Sequence, residues 1–83
     1  MNRRRLLIRL TQGSVHNVAF ADMVDMVEGF GFVLSRTSGS HHIFTRDGMP
    51  ELVNIQNVDG QAKPYQIRQF LRLGEKYNLT LQE

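Results

Sequence analysis

Between Phe20 and Phe30 the apolar residues Phe20, Met23, Val24, Val27 and Phe30 recur at intervals of three and four, with Asp22, Asp25 and Glu28 on the opposite face. That period predicts an amphipathic helix, whose early acidic residues suit its dipole and which Gly31 ends. The period then changes. Residues 32–36 and 41–46 read as strands on either side of a turn at 37–40 centred on Gly39. The turn dipeptide Asp47-Gly48 leads to a third strand at 51–57. Such short links imply an antiparallel meander.

Asp59-Gly60 closes the sheet region, and Pro64 fits the first turn of a final helix, where its missing N–H costs nothing. Ile67, Phe70, Leu71 and Tyr77 form that helix's apolar stripe, with Arg68, Arg72, Glu75 and Lys76 outward or flanking. Gly74 inside it costs about 1 kcal/mol against alanine, and close packing is the expected return. Ahead of all this, residues 3–12 read as a short helix with Leu6, Leu7 and Leu10 on one side, capped by Gly13. Residues 14–18 read as a polar connector.

These elements predict an α+β fold: a three-stranded antiparallel sheet with helices on one face, the other face open, and an extra N-terminal helix. Phe20, Phe30, Phe32, Phe44 and Phe70 are the expected core, and Tyr65 is expected to pack with them rather than stack on a ligand.

Eighty-three residues make one small domain with a thin core. The absence of cysteine removes disulfides, thiolate catalysis and thiolate-bound zinc, and a domain this small without staples points to a reducing, cytoplasmic home. Arg3-Arg4-Arg5 followed by Leu6-Leu7-Ile8 imitates a signal peptide, but the apolar run stops at Arg9 with no small-residue cleavage site behind it. A soluble chain is expected. The net charge of +2 is unevenly spread, with local basic patches that permit nucleic-acid binding without demanding it.

The order of elements, together with Gly31-Phe32, Arg36, Gly39-Ser40-His41-His42-Ile43-Phe44 and Lys63-Pro64-Tyr65-Gln66-Ile67-Arg68, resembles the HicA toxin family over residues 18–79. The last stretch is similar to a HicA-like subgroup. The resemblance implies a double-stranded-RNA-binding-domain-like fold at 18–83, with residues 1–17 as an added helix and connector. It implies an mRNA interferase that needs no metal or other cofactor, has a catalytic histidine in the Gly-Ser-His segment, and is neutralised by a HicB antitoxin. Two features depart from the pattern. Familiar members tend to carry another histidine on the third strand, where this chain has Val53-Asn54-Ile55-Gln56-Asn57, and the Arg-rich N-terminal helix is additional.

Cleavage of RNA through its 2′-hydroxyl needs a base and an acid, and histidine titrates near working pH. Successive strand residues face opposite ways, so His41 and His42 do not both address one phosphate on a regular strand. Phe44 belongs inside and His42 shares its parity, which makes His41 the preferred catalytic residue and His42 the alternative. Three histidines without cysteine do not form a zinc set, and His16 reads as plain surface.

Gly39 and Ser40 read either as a phosphate-binding turn or as an ordinary hairpin loop. Arg36, Arg46 and Lys63 read either as a basic strip for RNA or as solvated surface charges. For Arg3, Arg4 and Arg5 a solvated helix face is favoured over an RNA-binding arm. A ribonuclease toxin is thus the leading reading. A non-catalytic module of the same fold, binding RNA or docking a HicB-like protein, is the alternative.

Overall fold

The computed structural model describes residues 2–82. Its elements are α1 (Arg3–Thr11), α2 (Phe20–Gly29), β1 (Val33–Ser38), β2 (His41–Thr45), β3 (Val53–Val58), β4 (Gln61–Ala62) and α3 (Pro64–Lys76). The strands form one antiparallel sheet in the order β1-β2-β3-β4. The α+β class is as expected, but the sheet has four strands rather than three. β4 is two residues long, too short to show a period, and it is folded onto β3 by the loop Asp59-Gly60. Both loop residues have positive φ, 52° and 82°, as a type I′ hairpin turn requires.

Residues paired across strands share a face. Phe44 of β2 pairs with Val53 of β3, and His42 with Ile55. Phe44, Val53 and Ile55 are all buried and meet Met23, Met26 and Val27 of α2 and Ile67 and Phe70 of α3. Full burial of each large apolar side chain contributes roughly 1.5–3 kcal/mol. Phe30 and Phe32 both present edges to Phe70, at centroid distances of 5.4 and 5.8 Å. Phe20 is only half-buried.

Leu6 and Leu10 carry α1 into the same core. The connector behind it is not simply polar: Val15 and Val18 are each 1% exposed. The carbonyl of Val18 accepts from Ala62 N, and Phe20 N donates to the carbonyl of Gly60, which tie the connector to β4.

Several surface expectations change. Arg3 is not merely solvated: its guanidinium grips both oxygens of Asp25 at 2.8 and 2.9 Å and donates to the carbonyl of Gln82. Gly29 makes room for this, since a Cβ there would stand 2.8 Å from Leu81 Cδ1 and 3.0 Å from Arg3 Cδ. Glu51 precedes β3 rather than opening it, and accepts from Tyr77 Oη at 2.5 Å and Lys76 Nζ at 3.1 Å. Gly74 faces open space, so close packing does not explain it.

Gln66 is a side chain that periodicity alone does not single out. It is 2% exposed, and its Oε1 accepts from the backbone N–H of Gln56 at 2.7 Å. The β3–β4 ladder stops at Asn57 and Ala62, so the Gln66 side chain stands where a longer β4 would have supplied a carbonyl.

Candidate functional site

The two-residue loop Gly39-Ser40 joins β1 to β2, with Ser38 opposite His41. Gly39 has φ +58° while Ser40 is not in the positive-φ region, the pattern of a type II′ turn. A side chain at Gly39 would meet nothing within 4 Å, so backbone conformation is what glycine serves there.

The two histidines that follow part company. His42 faces the helices, with its ring against Phe20 at a centroid distance of 4.6 Å. Its Nδ1 lies 3.1 Å from the carbonyl oxygen of Ser40, and because a carbonyl only accepts, that nitrogen carries the proton. His41 faces the other way. It pairs with Ser38 and Gln56, and its Nδ1 lies 3.2 Å from Asn54 Oδ1 and 3.1 Å from Asn54 Nδ2. Asn54 pairs with Ile43, the next residue along β2 on His41's face. The third-strand position that strand alternation sets beside His41 is therefore occupied by an amide.

A bulge brings Arg36 to this face. Leu34 pairs with Phe44, but the register then slips so that Arg36, not Ser35, pairs with Ile43. Without that slip Arg36 would oppose His42 and point toward the helices. With it, Arg36 is the diagonal neighbour of His41, about 7–8 Å away across the strand pair, within reach of a long side chain. All six residues of β1 are exposed.

Lys63 caps α3 in extended conformation directly after buried Ala62, which turns it toward the open face. It lies one residue beyond the end of the β3–β4 ladder, and its carbonyl accepts from the N–H groups of Gln66 and Ile67. Its Nζ lies 5.8 Å from the ring centre of Tyr65. Tyr65 is 49% exposed, contrary to the expected core position, because Gln66 and Ile67 are the residues this turn of α3 buries.

Arg46 is not brought into the group. It follows β2, about 16 Å along the strand from His41, and lies against Gly31, its Nε 3.1 Å from where a Cβ on that glycine would stand. Gly31 has φ +90°, and the absent side chain leaves the room Arg46 uses. His16 lies elsewhere, its carbonyl accepting from Arg9.

The registers place Arg36, Ser38, His41, Ile43, Thr45, Asn54 and Gln56 on the open face, with Lys63 just past the end of β4, and none of these residues is a carboxylate. The carboxylates of Asp25 and Glu51 are engaged elsewhere. Hydrogen bonding to Arg3 holds the first below its ordinary range, and bonds from Tyr77 and Lys76 do the same for the second. Among the described residues no three His, Cys, Asp or Glu side chains gather as a metal-binding set. A recess of about 470 Å³ between α1 and α3, walled by Leu7, Leu10, Phe30, Phe70 and Leu71, has Glu75 as its one titratable lining residue. The sheet face combines a histidine with Arg36, whereas the recess is lined mainly by apolar side chains. No helix of the described residues is long and apolar enough to cross a membrane.

A family model described as the HicA toxin of bacterial toxin-antitoxin systems matches residues 20–74, more than half of the chain. The matched span runs from the start of α2 into α3 and includes the whole open face; α1 lies outside it. No curated protein and no solved structure matches the chain.

Proposed function

The chain belongs to the HicA toxin family, and from that premise we propose that it is an mRNA interferase, an endoribonuclease whose catalytic residue is His41. The observation that carries this reading is the composition of the open face: a half-buried histidine on the same face as Arg36, with an amide rather than a carboxylate at its Nδ1. A polyanion is attracted to such a face, and a flat sheet admits a polymer that a closed pocket would refuse.

In the proposed reaction His41 Nε2 takes the proton of a ribose 2′-hydroxyl. The O2′–P bond forms as the P–O5′ bond breaks, water protonates the leaving O5′ and its hydroxide recovers the proton held by His41, and the products end in a 2′,3′-cyclic phosphate and a 5′-hydroxyl. DNA lacks the attacking group, which makes the reaction specific to RNA. No metal or other cofactor takes part. Arg36 and Lys63 neutralise phosphate charge, the N–H groups of Gly39 and Ser40 border the phosphate, and Tyr65 offers a ring on which a base stacks. Arg46, remote from His41, has no part in the step.

The arrangement α2-β1-β2-β3-α3 supports a double-stranded-RNA-binding-domain-like reading of residues 18–83, with residues 1–17 as an extension packed on it. The protein acts in the cytoplasm on mRNA, and a HicB-like antitoxin neutralises it by covering the same face.

Induced expression in a bacterial host tests the proposal. Wild type arrests growth and depletes mRNA, His41→Ala is harmless yet folded and still captures a HicB-like antitoxin, and Arg36→Ala slows arrest without abolishing it. Harmless wild-type protein that leaves mRNA intact would leave the non-catalytic module, binding RNA or docking the antitoxin, as the correct reading.

A further inference from the structure

Of the two ring nitrogens of His41, Nδ1 has hydrogen-bond partners and Nε2 has none among the described residues. Nδ1 is within hydrogen-bond distance of both the oxygen and the nitrogen of the Asn54 amide, at 3.2 and 3.1 Å. Only one of these two atoms is bonded to Nδ1 at a time, and the two possibilities have opposite chemical consequences. If Nδ2–H donates to Nδ1, the ring proton resides on Nε2, and that nitrogen is no base. If Nδ1–H donates to Oδ1, Nε2 bears the lone pair and accepts a proton.

The second arrangement also survives the reaction. After Nε2 takes a proton the imidazolium keeps its Nδ1–H, so the bond to Oδ1 persists and the ring need not turn. An amide is a neutral acceptor. It fixes the ring without adding negative charge to a face that must receive phosphate. The backbone holds the pair in place: His41 is opposite Gln56 and Ile43 opposite Asn54, and β3 is flanked by strands on both sides. His42, the next residue along the same strand, faces the helices and is fixed by the carbonyl of Ser40.

We propose that Asn54 is a positioning residue that holds His41 as its Nδ1–H tautomer and so directs an unprotonated Nε2 to the RNA. This rests on the reading of His41 as the catalytic base.

The experiment reads the tautomer directly. Protein labelled with ¹⁵N and made by cell-free synthesis is examined by long-range ¹H–¹⁵N correlation at a pH above the titration of His41. Wild type is expected to show a protonated Nδ1 and an unprotonated Nε2, and Asn54→Leu to revert to the Nε2–H form that an unconstrained imidazole prefers. With RNA, Asn54→Leu loses roughly tenfold in kcat with KM little changed, a share of what positioned acid–base catalysis supplies. Asn54→Asp keeps the wild-type tautomer and moves the acid limb of the pH–rate profile up by about one unit.

A wild-type ring protonated on Nε2, or an Asn54→Leu protein whose tautomer is unchanged, would overturn the assignment. If Asn54→Leu does not fold, the wild-type and Asn54→Asp spectra decide alone. Because the tautomer is read without RNA, a protein that cleaves nothing would sink the nuclease reading and still leave the role of Asn54 decided.

Discussion

The ring of His42 rests against Phe20 with centroids 4.6 Å apart and planes inclined at 56°, while its Nδ1–H is committed to the carbonyl of Ser40. These bonds make His42 part of the packing that fastens β2 to α2. His42→Ala is therefore expected to lower stability by about 1 kcal/mol, the worth of such a ring pair. Cleavage per folded molecule stays at the wild-type level. Urea denaturation alongside an RNA cleavage assay checks this, and a stable His42→Ala protein without activity would contradict it.

Gln66 gives a sharper effect on stability. Replacing it with leucine keeps the volume but removes the acceptor that the Gln56 N–H uses at 2.7 Å. An interior donor left without a partner costs about 1–3 kcal/mol. Gln66→Leu is expected to lose that much in denaturant unfolding. The Gln56 amide should lose its protection against hydrogen exchange more than its neighbours on β3 do.

Acid should loosen the contacts that Asp25 and Glu51 make. Arg3 lowers the pKa of the first carboxyl, and Tyr77 with Lys76 lowers that of the second. A depressed folded-state pKa contributes stability that is fully present above the unfolded value, about 4, and is lost as pH falls through the folded value. The double variant Asp25→Asn, Glu51→Gln should thus melt below wild type at neutral pH. The two melting temperatures should converge as the pH falls through the lowered folded-state values of the two carboxyls. Both pairs are partly exposed to solvent, so the gap is modest. A gap that stays constant across that range would show that neither carboxylate draws stability from its partner.

Periodicity made α2 and α3 legible, because each buries a stripe at a helical spacing that the strands do not share. Strand alternation likewise separates His41 from His42 once Phe44 is taken as core. Other features leave no such trace. Arg36 reaches the face of His41 only through a register slip at Ser35, and nothing in Val33–Ser38 announces a bulge. β4 is too short for a period, and the buried amide of Gln66 makes sense only once that shortness is seen. Arg3 reads as solvated until α2 and the C-terminal segment are folded beside it. In the sequence Asn54 is one of five residues in a third-strand segment that lacks histidine, and no local pattern singles it out. Its contact with His41 depends on two strands meeting in one register, which lies beyond local pattern.

The most direct test of His41 as the catalytic residue is cleavage of a defined mRNA by purified protein in the presence of chelator. Wild type should cut it and leave 2′,3′-cyclic phosphate ends, while folded His41→Ala should be slower by at least about a hundredfold, the lower range for a lost acid–base group. His41→Ala cutting at the wild-type rate would contradict the account.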